Sequence, residues 1–156
     1  MDKETTVCFM KPDRHGAFPD KEFIMSKLKN SGLVIARRRT VVLTEEALRR
    51  LYPKLSVPIW QETLEHLKGQ SVPVFVLEGP SAIVTMVHIV GNSYNPALCA
   101  KSSIRYRLGS YEGFNDYRDV PDGVYWFNYM YRAKDKGEAE IAINTLFSKE
   151  LVGFPS

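Results

Sequence analysis

Residues 5–13 read TTVCFMKPD, and the fold is predicted outward from this stretch. Its first six side chains are β-branched, aromatic or apolar, a composition that favours a strand. Pro12 cannot donate a hydrogen bond within a central ladder, so the strand is predicted to end at Met10. Lys11 and Asp13 therefore stand just beyond the end of a strand.

Helical and strand patterns alternate downstream of this first strand. Asp20 is predicted to cap a helix that reaches about residue 31, and Thr44 to cap one that runs toward Tyr52. Asp135 and Glu138 resemble a capping box at the start of the last helix. The remaining elements are strands over about 33–43, 72–77 and 124–131 and helices over about 58–67 and 81–90.

This order of elements predicts an α+β fold, a ferredoxin-like βαββαβ sandwich in which helices back one face of a four-stranded antiparallel sheet. The chain contains no repeat, low-complexity tract or linker, so residues 1–156 are interpreted as one domain. The stretch Tyr106–Gly123 is rich in Gly, Asp and Tyr and lacks periodicity, which is typical of a long ordered loop with a functional role.

The composition of the 156 residues, 44% hydrophobic and 25% charged, is that of a soluble globular protein. No apolar run approaches the roughly 18 residues of a membrane span and the N-terminus lacks a secretory signal pattern, so a cytoplasmic location is expected. Cys8 and Cys99 have no partner at a metal-ligand spacing, and neither a disulfide nor a metal site is predicted. A scattered net charge of +3 argues against nucleic acid as a partner.

Several short motifs, in order along residues 5–148, resemble those of nucleoside diphosphate kinases, a family with the fold just predicted. KPD at 11–13 is similar to a family string whose lysine contacts nucleotide phosphates, which implies that role for Lys11. TEE at 44–46 and Tyr52 resemble the family's T-E-E…H-Y, in which the tyrosine helps to hold the phosphates.

Further matches to the family lie between residues 59 and 128. SIR at 103–105 matches the family's T-I-R and implies that Arg105 is a phosphate-binding arginine. Ile59 and Trp60 stand where the family has an aromatic residue that packs on the base, and Asn128 matches the asparagine of the catalytic string. The ligand implied by these matches is a nucleoside di- or triphosphate accompanied by Mg²⁺, and the family's assemblies imply a homo-oligomer.

The catalytic string is where the chain departs from the family. The family has N-x-x-H-G-S-D, whereas residues 128–135 read NYMYRAKD, so Tyr131 occupies the position of the phosphorylated histidine. Ala133 replaces the serine two residues later. Ala142 stands where the family has the glutamate that orients the histidine, and Val87 stands at a second arginine. Either Ser93 or Tyr94 matches a family threonine.

The family reaction passes the γ-phosphoryl group of a Mg-bound nucleoside triphosphate to an imidazole nitrogen and then to a diphosphate. Histidine, with a pKa of about 6.5, offers a free lone pair at neutral pH, whereas a phenol with a pKa of about 10 is protonated. Tyr131 is therefore expected not to sustain the exchange. The leading hypothesis is a nucleotide-binding protein that is deficient in phosphohistidine transfer.

Two alternatives remain at this point. In the first, the chain is an active phosphotransferase that uses a remodelled site, with the Tyr106–Gly123 loop, Tyr131, His15 or His88 in the chemistry. In the second, packing alone accounts for Tyr131, because Phe127, Tyr129 and Tyr131 share one face of the predicted strand. His66 is interpreted as facing solvent, and the arginine run 37–39 as a solvated face rather than a phosphate or RNA site.

Overall fold

The computed structural model describes residues 3–109 and 125–155. Its strands are β1 (Lys3–Met10), β2 (Val34–Val42), β3 (Ser71–Pro80) and β4 (Met130–Arg132). Its helices are α1 (Lys21–Lys29), α2 (Glu45–Leu51), α3 (Val57–Leu67), α4 (Ala82–Val90), α5 (Ile104–Leu108) and α6 (Lys136–Leu146), with a 3-10 turn over Pro96–Leu98. Strands and helices therefore alternate as predicted.

The four strands form one sheet in the order β2-β3-β1-β4, and every neighbouring pair is antiparallel. This arrangement confirms the predicted α+β sandwich. β1 lies in the interior of the sheet, where Phe9 pairs with Tyr131 of β4. Because β1 and β4 are neighbours, the Lys11-Pro12-Asp13 turn lies beside the residues that lead into β4, and the Lys11 N–H donates to the Tyr129 carbonyl (2.9 Å).

Helices cover both faces of the sheet, so the expectation that they back one face was wrong. Val7 and Phe9 pack on one face with residues of α2 and α6, whereas Cys8 and Met10 pack on the other with residues of α1, α4 and α5. All four of these β1 side chains are buried. A strand that is buried on both faces carries a continuous apolar run, and residues 7–10 have one.

The predicted helix caps are confirmed. The side chain of Asp20 accepts a hydrogen bond from the Phe23 N–H, and that of Thr44 accepts one from the Ala47 N–H, both at 3.1 Å. Asp135 accepts from the Glu138 N–H at 2.8 Å. These bonds satisfy N–H groups that the first turn of a helix leaves without partners, so the helices begin where the sequence places their caps.

The strand predicted over 124–131 is shorter and begins later. β4 starts at Met130, and Tyr129 has a φ of 63°, a left-handed conformation that interrupts an extended strand. Phe127, Tyr129 and Tyr131 therefore do not share one face of a strand, and the packing argument based on that alternation was wrong. Tyr106 belongs to α5, while the rest of the predicted loop from 110 to 123, and Val124, lie outside the described residues.

α4 is apolar nearly all round but is buried along one side, through Ala82, Ile83, Met86 and Val90. Val84 is 64% exposed and His88 is exposed, so the other side of this apolar helix is open to solvent. Within residues 3–109 and 125–155, no helix combines the length and the apolar character that a bilayer crossing requires.

Candidate active site

A cavity of about 440 Å³ opens where the segment after α2 faces β4 and the start of α6. Three of the predicted site residues, Tyr52, Arg105 and Tyr131, line it together. The other described residues around the cavity are Arg50, Leu51, Pro53, Lys54, Leu55, Tyr94, Arg132, Lys134, Asp135, Glu138 and Ile141. Residues that are distant in the sequence thus converge on one site.

The remaining predicted residues lie beside this cavity or away from it. Lys11 is buried close to Arg105 and Arg132. Asn128 is buried as well and donates through Nδ2 to the carbonyl of Tyr94 (3.2 Å). The two residues expected to contact the nucleobase, Ile59 and Trp60, do not line this cavity. Trp60 lines a separate cavity of about 220 Å³ that shares Tyr52 with the larger one, and Ile59 lines neither of the two.

Tyr131 is built into the hydrophobic core. Its ring stacks on Phe9 with centroids 4.8 Å apart, and it meets the ring of Tyr52 edge-on at 5.7 Å. Its hydroxyl is buried and has no hydrogen-bond partner among the described residues. Burial raises the pKa of Tyr131 far above its ordinary range, because the phenolate would be desolvated. The side chain is therefore a neutral phenol at physiological pH.

Ala133 and Ala142, where the resemblance places a serine and a glutamate, are completely buried. Ala142 belongs to the same core cluster as Tyr131 and Phe9. We refer to Tyr131, Ala133 and Ala142 as the apolar cluster. Beyond the Tyr131 hydroxyl, its side chains carry no group that could accept or donate a proton.

Most N–H groups of Arg105 donate hydrogen bonds to backbone carbonyls. Its guanidinium donates to the carbonyl of Met130 through Nη2 (2.9 Å) and Nε (3.3 Å), and to the carbonyl of Ser93 through Nη1 (2.9 Å). A longer bond reaches the Gly91 carbonyl (3.4 Å). Burial, with repulsion from Arg132, lowers the pKa of Arg105 to about 10, so it remains charged at neutral pH.

Arg132 was not predicted as a site residue, yet it lines the cavity next to Arg105. Its Nε donates to the same Gly91 carbonyl at 3.0 Å. Burial is the main cause that lowers the pKa of Lys11, and repulsion from these two arginines adds to it. We refer to Lys11, Arg105 and Arg132 as the cationic cluster. The sequence signal was a cation directly after Tyr131, at a position where the resemblance expects glycine.

His66 is buried, at 4% exposure, so its interpretation as a solvent-facing residue was wrong. Nε2 lies 2.6 Å from the Pro12 carbonyl and therefore carries the proton, while Nδ1 accepts from the Tyr125 hydroxyl at 2.5 Å. Burial lowers the pKa of His66 to about 4, which keeps the ring neutral. The sequence showed a histidine between Glu65 and Leu67 and gave no sign that both ring nitrogens find partners.

The positions of the three histidines bear on the chemistry. His15 and His88 are exposed, and none of the three lines the cavity. Tyr94, one of two candidates for the family's threonine, does line it, and its hydroxyl accepts from the Trp126 N–H at 3.0 Å. Among residues 3–109 and 125–155, no group of three or more His, Cys, Asp or Glu side chains could hold a metal ion.

Comparisons with known proteins agree with this architecture. The sequence model of the family described as nucleoside diphosphate kinase matches residues 4–151. The nucleoside diphosphate kinase of Chlamydia caviae is 33% identical over 113 residues, which cover 72% of this chain and 79% of that protein. The enzyme of Chlamydia felis is 32% identical over the same shares of the two chains.

Solved structures show the same fold at lower identity. A transition-state mimic of the Borrelia burgdorferi nucleoside-diphosphate kinase, with bound vanadate and ADP, superposes with a TM-score of 0.74 at 20% identity, covering 99% of this chain and 92% of that one. The Aquifex aeolicus nucleoside diphosphate kinase gives a TM-score of 0.73 at 23% identity, covering 97% of this chain and 99% of that one. On the family match and the sequence identity, the chain belongs to the nucleoside diphosphate kinase family.

Proposed function

We propose that this chain binds a nucleoside di- or triphosphate in the 440 Å³ cavity without forming a covalent phosphoryl intermediate. The observation that carries the proposal is the state of Tyr131. It stands at the nucleophile position that the family resemblance implies, but its ring is stacked in the core and its hydroxyl is shielded. Binding and covalent transfer depend on different groups, and Tyr52 and Arg105 still line the cavity while the nucleophile position is packed in the core.

Retention of binding is supported by the positive charge at the cavity. Arg105 and Arg132 bring two guanidinium charges to the cavity and Lys11 lies behind them, while Lys54 and Lys134 lie among its lining residues. Guanidinium groups suit phosphate oxygens because their N–H groups form a planar fork. The proposed roles of Tyr52 and Asn128 are hydrogen bonds to phosphate or sugar, and those of Ile59 and Trp60 are contacts to the base.

Loss of covalent transfer is supported by the apolar cluster. Attack on the γ-phosphorus would require the Tyr131 hydroxyl to lose its proton, and burial makes the phenolate costly. No described carboxylate or imidazole accepts a hydrogen bond from that hydroxyl, so a general base is lacking among the described residues. Ala142 offers a methyl group where the family resemblance implies an orienting glutamate.

The wider context of the proposal follows the family. Mg²⁺ would enter with the nucleotide as part of the ligand, held by its phosphates. The chain would act as one domain and would assemble as a homo-oligomer in the cytoplasm. These statements rest on the family resemblance and on the composition of the chain.

The proposal is tested by incubating the purified protein with γ-labelled ATP and excess GDP and reading the label on both protein and GTP. We expect neither product from the wild type, while ADP raises its melting temperature and adenosine raises it less. The variant Tyr131→His restores the imidazole but keeps Ala133 and Ala142, so we expect it to form no more than a trace of labelled GTP.

Two results would contradict the proposal, each on a different point. Labelled GTP from the wild type would show active transfer through another nucleophile, with His15 and His88 as the first residues to replace. Unchanged melting with ADP and with ATP would remove nucleotide binding.

A further inference from the structure

Arg132 combines a fixed position with unused hydrogen-bond donors. The bond from Nε to the Gly91 carbonyl directs the side chain along the cavity wall. Its terminal nitrogens have no acceptor among residues 3–109 and 125–155. Because Nε is the nitrogen used, the N–H groups of both terminal nitrogens remain available to a ligand.

Arg105 differs from Arg132 in this respect. Its Nε, Nη1 and Nη2 all donate to backbone carbonyls, so its main contribution to the cavity is charge. The two arginines even share the Gly91 carbonyl as an acceptor. Of the two guanidinium groups, that of Arg132 is therefore the better placed to form directed bonds.

The cationic cluster has no counter-charge in direct contact within the part of the chain that the structure describes. None of its three members takes part in an ion pair there. Two acids, Asp135 and Glu138, line the same cavity, but the first accepts from the backbone N–H of the second, which in turn accepts from the N–H of Lys134. These carboxylates are hydrogen-bonded at the start of α6. Burial lowers the pKa of Arg132, and attraction to Glu138 opposes part of that effect without a direct ion pair.

The members of the cationic cluster repel one another. Arg105 and Arg132 each lower the pKa of the buried Lys11 ammonium, in addition to the effect of burial. Cations that are held close together are stabilised by an anion that enters between them. A cavity of this size lies within the range of ordinary small-molecule sites.

We propose that Arg132 binds the phosphate chain of the nucleotide through its two terminal nitrogens, as a ligand-binding residue that belongs to this chain's own cavity. This inference rests on the proposed nucleotide binding. It identifies Arg132 as a residue through which the cavity would bind the phosphates of that nucleotide. A planar guanidinium can take two oxygens of one phosphate, or one oxygen from each of two adjacent phosphates.

The test compares Arg132→Gln with wild type and with the control Arg107→Gln. The control removes the same charge from an exposed position on α5 that does not line the cavity. Calorimetric titrations use ADP, inorganic pyrophosphate and adenosine as probes. We expect Arg132→Gln to bind ADP and pyrophosphate about ten- to a hundred-fold more weakly, with adenosine unchanged and with Arg107→Gln equal to wild type.

The melting temperature of the free protein, measured beside the affinities, separates ligand binding from a structural role. If Arg132 only anchors Gly91, Arg132→Gln would melt earlier and bind ADP as wild type does, which would overturn the inference. If it binds phosphate, Arg132→Gln loses affinity for ADP and pyrophosphate even when it melts somewhat earlier, because the bond from Nε to the Gly91 carbonyl is lost in either case. Arg132→Lys keeps the charge without the fork, and we expect its affinity to lie between the two.

The two proposals can fail separately. ADP binding by wild type with no loss in Arg132→Gln would overturn the role of Arg132 and leave nucleotide binding intact. Pyrophosphate binding that depends on Arg132, without any binding of ADP, would support the role of Arg132 and overturn nucleotide binding. No binding of either probe to wild type would overturn both.

Discussion

The cationic cluster and the apolar cluster meet at β4, which carries both Arg132 and Tyr131, but they have different physical characters. The first places three cationic side chains at or beside the cavity and fixes both guanidinium groups on backbone carbonyls. The second merges with the core, where the Tyr131 ring stacks on Phe9 and Ala142 is completely buried. The difference teaches that one site can keep the means of holding phosphate while its reactive positions become packing residues.

The sharpest way to break this comparison is to return an acid to the apolar cluster. Ala142→Glu would place a carboxylate among Tyr131, Phe9 and the other core residues around it. We expect the free energy of unfolding to fall by about 3–5 kcal/mol at neutral pH, because a buried charge would have no partner. Urea denaturation followed by circular dichroism measures the change.

The matched control for that variant is Asn144→Glu, which adds the same charge at an exposed position of α6. We expect it to change stability by no more than about 0.5 kcal/mol. Equal stability of Ala142→Glu and wild type would mean that a counter-charge reaches residue 142, and the apolar character of this cluster would have to be abandoned.

The second test removes His66, a side chain that holds the segment next to Lys11 of the cationic cluster. His66 holds the Pro12 carbonyl next to Lys11 and is neutral, since burial lowers its pKa to about 4. Above its unfolded pKa of about 6.5, neither state carries the proton. As the pH falls toward 4, the unfolded chain binds a proton that the folded chain does not, so stability declines. We expect a decline on the order of 2 kcal/mol from this residue.

His66→Gln measures that contribution when urea denaturation is repeated at pH 7.5 and pH 5. We expect the variant to be about 1–3 kcal/mol less stable at pH 7.5, since Tyr125 and Pro12 lose bonding partners, and to lose less further stability at pH 5. His88→Gln, at an exposed histidine, should follow the wild-type pH dependence. If His66→Gln lost as much stability between pH 7.5 and pH 5 as wild type does, the decline would have to come from other titratable groups.

The smallest expected effect comes from the Tyr131 hydroxyl itself. Tyr131→Phe removes a buried hydroxyl without a described partner and keeps the ring on Phe9. We expect the free energy of unfolding to rise by about 1 kcal/mol, because the unfolded hydroxyl bonds to water and the folded one does not. Thermal and urea denaturation both report this change.

Two controls sharpen the interpretation of Tyr131→Phe. Thr6→Val removes another buried hydroxyl without a described partner, away from the cavity, and should change stability in the same direction. Tyr125→Phe removes a hydroxyl that donates to His66 and should change it in the opposite direction. A loss of stability in Tyr131→Phe would show that its hydroxyl makes a bond.

Much of the fold was predictable because its signals are local. Asp20, Thr44 and Asp135 cap helices through bonds to N–H groups three residues ahead of them in the chain, so the sequence alone locates those helix starts. The end of β1 followed from a proline that cannot continue the ladder. The later start of β4 was not predictable, because Tyr129 has an aromatic side chain that favours a strand and a left-handed backbone that interrupts one.

The candidate site divides in the same way. The motifs that place Tyr52, Arg105 and Tyr131 at one cavity are readable in the sequence, and the structure brings these residues together. The sequence could not show that Arg105 donates to the carbonyls of residues 91, 93 and 130. Nor could it show that Arg132 donates only through Nε and keeps its terminal N–H groups available. That division depends on which carbonyls each guanidinium meets after the chain has folded.

The sequence by itself determined the order of the four strands and of five of the six helices, the family resemblance and the absence of histidine at position 131, since these depend on residue identities and spacings. The tertiary structure alone decided that helices cover both faces of the sheet, that His66 is buried between Pro12 and Tyr125, and that Arg132 belongs to the cavity. The physical reason is the distance along the chain between the residues that interact. Caps and strand ends depend on neighbours along the chain, whereas burial and charge clustering depend on residues that folding brings together from distant positions.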